Sequence, residues 1–557
     1  MSQPILIAGA GPVGLTLACE LVRHGLEVRI VERNAQATNK SKALVLWPRT
    51  LELLEKAGMV QPFLEAGTPI AGISIFENPE KRLAHVTFDD LKSPFPYVVG
   101  IPQYTTERLL AQRLKDLGVE VERCVEVVSI EQHDHHITVN LRHADGRTEV
   151  TETSWLPACD GARSTVRRQL GVRLEGETVE QEFAMIDCDV AGLPLYDEVV
   201  AFTSGLGLAA FFPIAPPRMR IICLRADCGS QATPPEPTME EMEQELVSRG
   251  LSQLRISNPH WLAAFRINER HAKSYRHGRV LLAGDSAHVH SPVGGQGMNT
   301  GMQDAFNLAW KLALVQKGQV PESWVDSYSQ ERQPVGAAVV QKTGKARQVI
   351  TLRHPVATAV RNKLMSLLTS FDFVRHKITE EASELAIKYP RSPLNREVHQ
   401  GHSAWLLGQG IHPGDRAPDG ALARGNVFTR VFELMQDTRF HLVLLSGVSH
   451  KPLDGALDCA NWTSQHFGDS LGVHWIGHQA ENLPNLPSAW WDETTTIHKE
   501  YGAADPTLYL IRPDGYVAFR CQPATRSDLE KYLADMGLHP PQFAEINDRQ
   551  TPIEGKI

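Results

Sequence analysis

The sequence predicts an α/β fold, with a Rossmann-like dinucleotide-binding motif at its start, a strand-rich middle and a further domain toward the C-terminus. Three observations predict it. Residues 5–14, ILIAGAGPVG, pass from an apolar run into three spaced glycines. Residues 279–304 repeat the step from apolar strand to glycine-rich turn and then enter a helical run. Between about 175 and 275 the chain is rich in short strand-like runs.

The first motif carries the most physical information. Gly9 permits a tight turn after the apolar run, Gly11 lets a pyrophosphate approach the backbone, and Gly14 lets the following helix pack closely. The start of the helix that follows, patterned at Leu15, Leu17, Ala18, Leu21 and Val22, offers unpaired N–H groups and the positive end of a dipole. A second strand follows and ends at Glu32, where a carboxylate can accept ribose hydroxyls. This motif alone does not separate FAD from NAD.

Composition bounds the rest. A chain of 557 residues accommodates roughly two to four domains. At 42% hydrophobic and 22% charged residues it is an ordinary globular sequence with a large core. A net charge of −9 gives no global attraction to nucleic acid or to an anionic membrane. The start lacks the basic region and longer apolar stretch of a signal peptide, so a cytoplasmic location is expected. The uncharged stretch 201–217 contains Gly205, Gly207, Pro213, Pro216 and Pro217 and reads as strand and turn, not as a membrane span. The eight cysteines form no C-x-x-C and no zinc spacing, which predicts buried thiols and no metal site.

Two later motifs choose the cofactor. Residues 158–168 read ACDGARSTVRR, and 279–304 read RVLLAGDSAHVHSPVGGQGMNTGMQD. The order G-x-G-x-x-G, D-G, G-D resembles the single-component FAD-dependent aromatic hydroxylases of the p-hydroxybenzoate hydroxylase type. The closer resemblance is to the larger phenol and 3-(3-hydroxyphenyl)propionate hydroxylase members. It runs from residue 5 to SYSQERQP at 327–334 and recurs weakly at LYLIRPDGYVAFR, 508–520. It implies a Rossmann-like FAD-binding domain with an inserted β-rich substrate domain and a C-terminal thioredoxin-like domain. The expected division is 1–175 and 276–390 for the FAD domain and helical segment, 176–275 for the substrate domain, 402–540 for the thioredoxin-like domain, and 541–557 for a tail.

The resemblance also implies site residues. Gly9, Gly11, Pro12 and Gly14 would hold the pyrophosphate and Glu32 the adenosine ribose. Arg33 would lie near the adenine, Val127 would bring its backbone there, and Gln103 would contact the ribityl chain. Asp160 would sit near the FAD or serve the nicotinamide nucleotide; its alternative is a structural turn residue. Gly284 and Asp285 would meet the ribityl hydroxyls. Pro292, Gly295, Gly297, Met298 and Asn299 would line the isoalloxazine. Many members have Arg-Ala or Arg-Gly where this chain has Lys42-Ala43, and lysine keeps the charge but lacks the planar fork. Phe211 and Phe212, with Pro292, are the substrate candidates; packing in the core is the other reading of the two phenylalanines. His288 and His290 read as packing residues, since no third metal ligand accompanies them.

Outside the motifs, strands are expected at Ala184–Val190, Leu208–Phe212 and Met219–Leu224, and a surface helix at 238–250. Helices over 340–388 would brace the flavin domain or form a homodimer contact, and 389–401 reads as a loop. Strands at His441–Leu445 and Leu508–Ile511, a hairpin turn at 512–515 and a helix at Ser527–Met536 complete the chain. A helix over 300–316 is expected to start at Asn299 or Thr300 and to aim its first N–H groups at the flavin pyrimidine carbonyl.

The function implied is FAD-dependent monooxygenation. NADPH or NADH would act as a transient reductant, O2 as oxidant through a flavin hydroperoxide, and a small phenolic or other electron-rich aromatic compound as substrate, as in aromatic compound catabolism. The alternatives are a flavoprotein oxidase or dehydrogenase without oxygen insertion and a redox-inert flavin-binding interaction protein. The W-x-W-x-I-P motif of flavin halogenases is absent.

Overall fold

The computed structural model describes residues 3–41, 43–225, 234–291, 294–350, 354–399, 410–449, 451–478 and 489–539. The first apolar run becomes the strand Ile5–Ala8, buried along its whole length. It pairs in parallel with Val28–Glu32 and with Leu156–Ala158, and the latter with Val280–Leu282. All three glycine-bearing motifs therefore leave the carboxyl ends of neighbouring parallel strands, where open α/β sheets bind ligands. The helices Pro12–Arg23 and Gly297–Gln316 pack on each other over this sheet.

The insert forms one eight-stranded sheet in the order His288–Val289, Arg255–His271, Glu175–Ala191, Arg218–Leu224, Gly207–Ala215, Val199–Ser204, Gly72–Asn78, Lys81–Thr87. Its two 17-residue strands are interrupted by register shifts, which bend long strands. The sheet is wider than the expected 176–275 segment. The hairpin Gly72–Thr87 joins through parallel pairing of Gly72–Asn78 with Val199–Ser204, a long-range pairing that local pattern does not announce. The surface helix is Met239–Ser248, opened by a capping box between Thr238 and Glu241.

The C-terminal sheet centres on Phe440–Leu445, which runs parallel to Leu471–Gly477 and antiparallel to Thr507–Ile511. The helices Asp454–Phe467 and Arg526–Asp535 pack together against it, giving the thioredoxin-like layout. This sheet begins before residue 402. Arg396–His399, expected as loop, pairs in parallel with Val517–Gln522. The tail 541–557 lies outside the described residues. One core joins this unit to the helix Gly297–Gln316 and the turn after it: Trp310, Trp324 and Phe440 meet edge to face at 5.5–6.4 Å.

Among the described residues no helix is long and apolar enough to cross a membrane, and no group of side chains could hold a metal ion. Cys459 and Cys521, distant in sequence, share the C-terminal core as free thiols, and burial together with the neighbouring Cys521 pushes the Cys459 thiol up to about 12. Cys228 lies outside the described residues.

Candidate functional site

The three glycines of the first motif are not equivalent. Gly9 has φ +99°, and a β-carbon there would sit 2.5 Å from the Cys159 carbonyl oxygen. At Gly14 it would sit 2.0 Å from the Gly9 carbonyl oxygen. Gly14 thus relieves crowding against the turn itself as much as against the sheet. At Gly11 nothing lies within 4 Å. Gly11 is the N-cap and Pro12 the first residue of the helix, so the open side of Gly11 adjoins the unpaired first-turn amides. That is the cradle an anionic ligand needs.

Glu32 ends its strand beside this turn. Its Oε2 accepts the Ala10 N–H at 3.0 Å, and its Oε1 accepts from the Asn34 backbone and side chain. Arg33 is exposed. Val127 is buried at the start of the strand Glu126–Gln132, and the neighbouring Val125 N–H donates to the Glu32 carbonyl at 3.1 Å. Gln103 ties the preceding loop down: its Oε1 accepts the Ala43 N–H, and its own N–H donates to Ser41 Oγ. Lys42 lies outside the described residues.

Asp160 has a structural task. Its Oδ2 accepts the Thr165 and Val166 N–H groups at 2.7 and 3.3 Å, opening the helix Thr165–Gln169. Its Oδ1 is buried without a hydrogen-bond partner among the described residues. The residue therefore caps a helix and keeps one acceptor uncommitted beside Gly9.

The G-D turn separates two aspartates. Gly284, at φ +59°, faces Val13 and Gly301 so closely that a side chain on either glycine would collide. Ser286 Oγ bonds the Ala158 and Ala283 carbonyls and pins the turn. Asp285 is left exposed, with no hydrogen bond or ion pair to protein among the described residues. The structural aspartate is Asp304, on the helix behind. It accepts the Gly284 N–H at 3.1 Å, His288 Nε2 at 2.7 Å and Arg332 Nε at 2.7 Å, all buried. His288 and Asp304 lie in the 279–304 run and Arg332 in SYSQERQP, and nothing in their spacing says that they meet.

The glycine-rich turn is built by neighbours. Gly294 and Gly295 have φ of +91° and +62°, and a β-carbon on Gly295 would lie 2.5 Å from Val45. The helix begins at Gly297, three residues earlier than expected, with Gln296 as N-cap. Asn299 is not the cap. Its amide is fully buried, accepting the Trp47 N–H at 2.9 Å and donating to the Val45 and Gly295 carbonyls. It locks the turn to the segment 45–47. Met298 is buried, and Gly297 faces the His290 ring, 3.3 Å from a β-carbon placed there. Burial, with His288 alongside, pushes the His290 imidazole down to about 4, so it is neutral at pH 7. Pro292 lies outside the described residues.

Thr300 Oγ1 and Gln303 Nε2 donate to Glu384 at 2.8 and 2.5 Å, and burial pushes this carboxyl up to about 7. Glu384 has φ +63° and follows the helix Asp372–Ala382, a position no pattern in the sequence marks.

Of the two phenylalanines, Phe211 is fully buried in the core on one side of the insert sheet, edge-on to Phe202. Phe212 is on the other face and packs in the cluster of Leu44, Val45, Trp47 and Leu385. Val45 and Trp47 therefore touch both the glycine-rich turn and the Phe212 face. Phe211 is set back from that face by its own strand.

Crowded and open glycines, an unspent carboxylate and a helix start converging at four parallel strand ends define a dinucleotide-cofactor protein. The FAD binding domain family matches residues 2–343, and the aromatic-ring hydroxylase C-terminal family matches residues 411–537. The chain belongs to the FAD-dependent aromatic monooxygenases. It is 33% identical over 554 residues to 6-methylpretetramide 4-monooxygenase of Streptomyces rimosus, covering 97% of this chain and 94% of that one. It is 31% identical over 530 residues to pentachlorophenol 4-monooxygenase of Sphingobium chlorophenolicum, covering 93% of each. Among solved structures, an anhydrotetracycline hydroxylase from Streptomyces rimosus superposes with a TM-score of 0.75 at 28% identity, over 97% of this chain and 100% of that one.

Proposed function

We propose that this chain is a single-component aromatic hydroxylase that draws electrons from NADPH or NADH, and that its cofactor residues are those at the four strand ends. The carrying observation is the contrast in crowding: Gly9 and Gly14 are filled by protein, whereas Gly11 and Asp285 are left open. When bound, FAD supplies hydride acceptance and oxygen activation. Gly11 and the first-turn amides would take the pyrophosphate, Glu32 the adenosine ribose, and Asp285 the ribityl hydroxyls. The residues 1–175 and 276–390 would form the flavin unit, with 176–275 plus the hairpin Gly72–Thr87 as its substrate cover.

The protein's own groups do the rest by position. The Gly297 helix start, locked by Asn299, would offer main-chain donors and a positive dipole end to negative charge developing on the bound cofactor. The cluster of Val45, Trp47 and Phe212 offers an apolar wall for an aromatic ring and excludes water. Neutral His290 keeps a competing charge away from the same turn. The buried free thiols support a reducing, cytoplasmic setting. A screen of phenols for accelerated NAD(P)H oxidation, with product mass, tests the reading. If none accelerates oxidation and no hydroxylated product forms, it fails.

A further inference from the structure

We propose that Ser446, His498 and Asp492 form a second catalytic site, in the C-terminal domain, that hydrolyses small carboxylic esters. The three side chains lie in line. Ser446 Oγ is 3.3 Å from His498 Nε2, and His498 Nδ1 is 2.9 Å from Asp492 Oδ2. None of them belongs to the flavin site described above.

Topology places them. Phe440–Leu445, Leu471–Gly477 and Ala489–Trp491 are neighbouring parallel strands. Ser446 is the first residue past the carboxyl end of one, and Asp492 the first past the carboxyl end of another. Carboxyl ends of parallel strands are where such sheets carry sites. Asp492 then opens the short helix Thr496–Tyr501, accepting the Thr496 and His498 N–H groups at 3.1 and 2.9 Å, and this turns the imidazole back toward Ser446.

The hydrogen bonds fix the roles. The Asp492 carboxylate only accepts, so His498 Nδ1 carries the ring proton of the neutral imidazole. Nε2 is then a lone pair, and the Ser446 hydroxyl is the donor facing it. The Gly447 carbonyl, at 3.2 Å, is the other acceptor that the hydroxyl can reach. The His478 N–H donates to Ser446 Oγ at 3.0 Å and holds that oxygen in place. Burial grades along the line: Asp492 is 0% exposed, His498 1%, and Ser446 partly exposed. Gly447 follows the serine at φ +76°, and among the described residues its N–H has no acceptor. A free main-chain N–H next to the nucleophile is the type of donor that can stabilise an oxyanion.

This is the nucleophile–base–orienter arrangement recognised by geometry and roles, on any fold. Ser446 Oγ bonds to the ester carbonyl carbon as its proton passes to His498 Nε2. The bond from that carbon to the alcohol oxygen breaks, and the alcohol leaves with the proton. Water then adds to the acyl carbon, giving its proton to Nε2, and the carboxylic acid departs as Ser446 regains a proton. Ester and water become acid and alcohol, with no oxidant or reductant.

The test uses the full-length, FAD-loaded protein. Diisopropyl fluorophosphate is added and labelled peptides are identified by mass, and p-nitrophenyl acetate hydrolysis is measured in the parent and in Ser446→Ala. FAD content of the variant checks that it folds. The expected result is an adduct on Ser446 and a fall in ester hydrolysis of about tenfold or more in the variant. A parent protein with no adduct on Ser446, or a variant whose hydrolysis falls by less than that, overturns the proposal. His498→Gln, in which Ser446 should lose its reactivity toward the phosphorylating reagent, is the second arm; labelling at the parent rate overturns it equally.

Discussion

Arg512 and Glu331 meet as a two-pronged ion pair at 2.8 and 2.9 Å, with neither side chain exposed to solvent. Lys311 adds a 2.7 Å contact to the same carboxylate, and Asp514 pairs with Arg512 from the other side. Two cations and two anions thus balance between the helix Gly297–Gln316, the helix Asp326–Ile350 and the C-terminal sheet. Arg512 also lies over the Trp310 ring, 5.0 Å from its centroid. Removing Glu331 leaves both cations facing one anion. Glu331→Ala should lose about 3–5 kcal/mol. Urea unfolding of the FAD-loaded protein measures it, and an unchanged midpoint would show that the pair is dispensable.

Glu384 should give the protein a pH-dependent stability. Its carboxyl titrates near 7 in the fold, against an ordinary value of 4.5. Between these values the folded state holds a proton that the unfolded state has released. Stability from this group is therefore undiminished below about 4.5, falls as pH rises toward 7, and levels off above. The full loss is about 3 kcal/mol. Glu384→Gln keeps the neutral shape and should flatten that decline. Urea midpoints for both proteins from pH 5 to pH 8 settle the matter; parallel profiles would mean that Glu384 does not titrate there.

Asp285 carries no fold-stabilising contact among the described residues, so Asp285→Ala should leave the melting of the FAD-free protein unchanged. It should weaken FAD binding roughly 10- to 100-fold, the worth of a hydrogen bond to a charged acceptor. Flavin fluorescence titration reads this directly. Equal FAD affinity in variant and parent would remove Asp285 from the cofactor site.

Gly297→Val places a side chain against the His290 ring and should displace the first turn of the helix. FAD-saturated variant protein should show slower flavin reduction and divert more of the consumed NAD(P)H to hydrogen peroxide. Reduction rate, product and peroxide measured together distinguish this from weaker FAD binding. If all three match the parent, the turn has no electrostatic role.

Much of this was legible in the sequence where the physics is local. The glycine turn at 9–14, the strand ending at Glu32 and the turn ahead of the Gly297 helix are each coded by a few adjacent residues. What stayed hidden depends on distant partners. Asn299 reads as a cap from its neighbours, yet it bonds Trp47 and Val45 across the fold. Asp304, His288 and Arg332 form one buried unit from three separate positions. The hairpin Gly72–Thr87 joins the insert sheet by pairing with residues more than a hundred positions away. Phe211 and Phe212 are adjacent on one strand and point to opposite sides of it, but only packing against Val45 and Trp47 says which side each takes.

In the proposed reaction these residues hold FAD so that reducing equivalents are spent on inserting oxygen into an aromatic ring. The most direct measurement is turnover of the FAD-loaded protein with NAD(P)H and an accelerating phenol under 18O2, with mass analysis of the product. Each hydroxylated product should carry one 18O atom, with little hydrogen peroxide formed. Oxidation of NAD(P)H with all the oxygen recovered as peroxide and the phenol unchanged would contradict it.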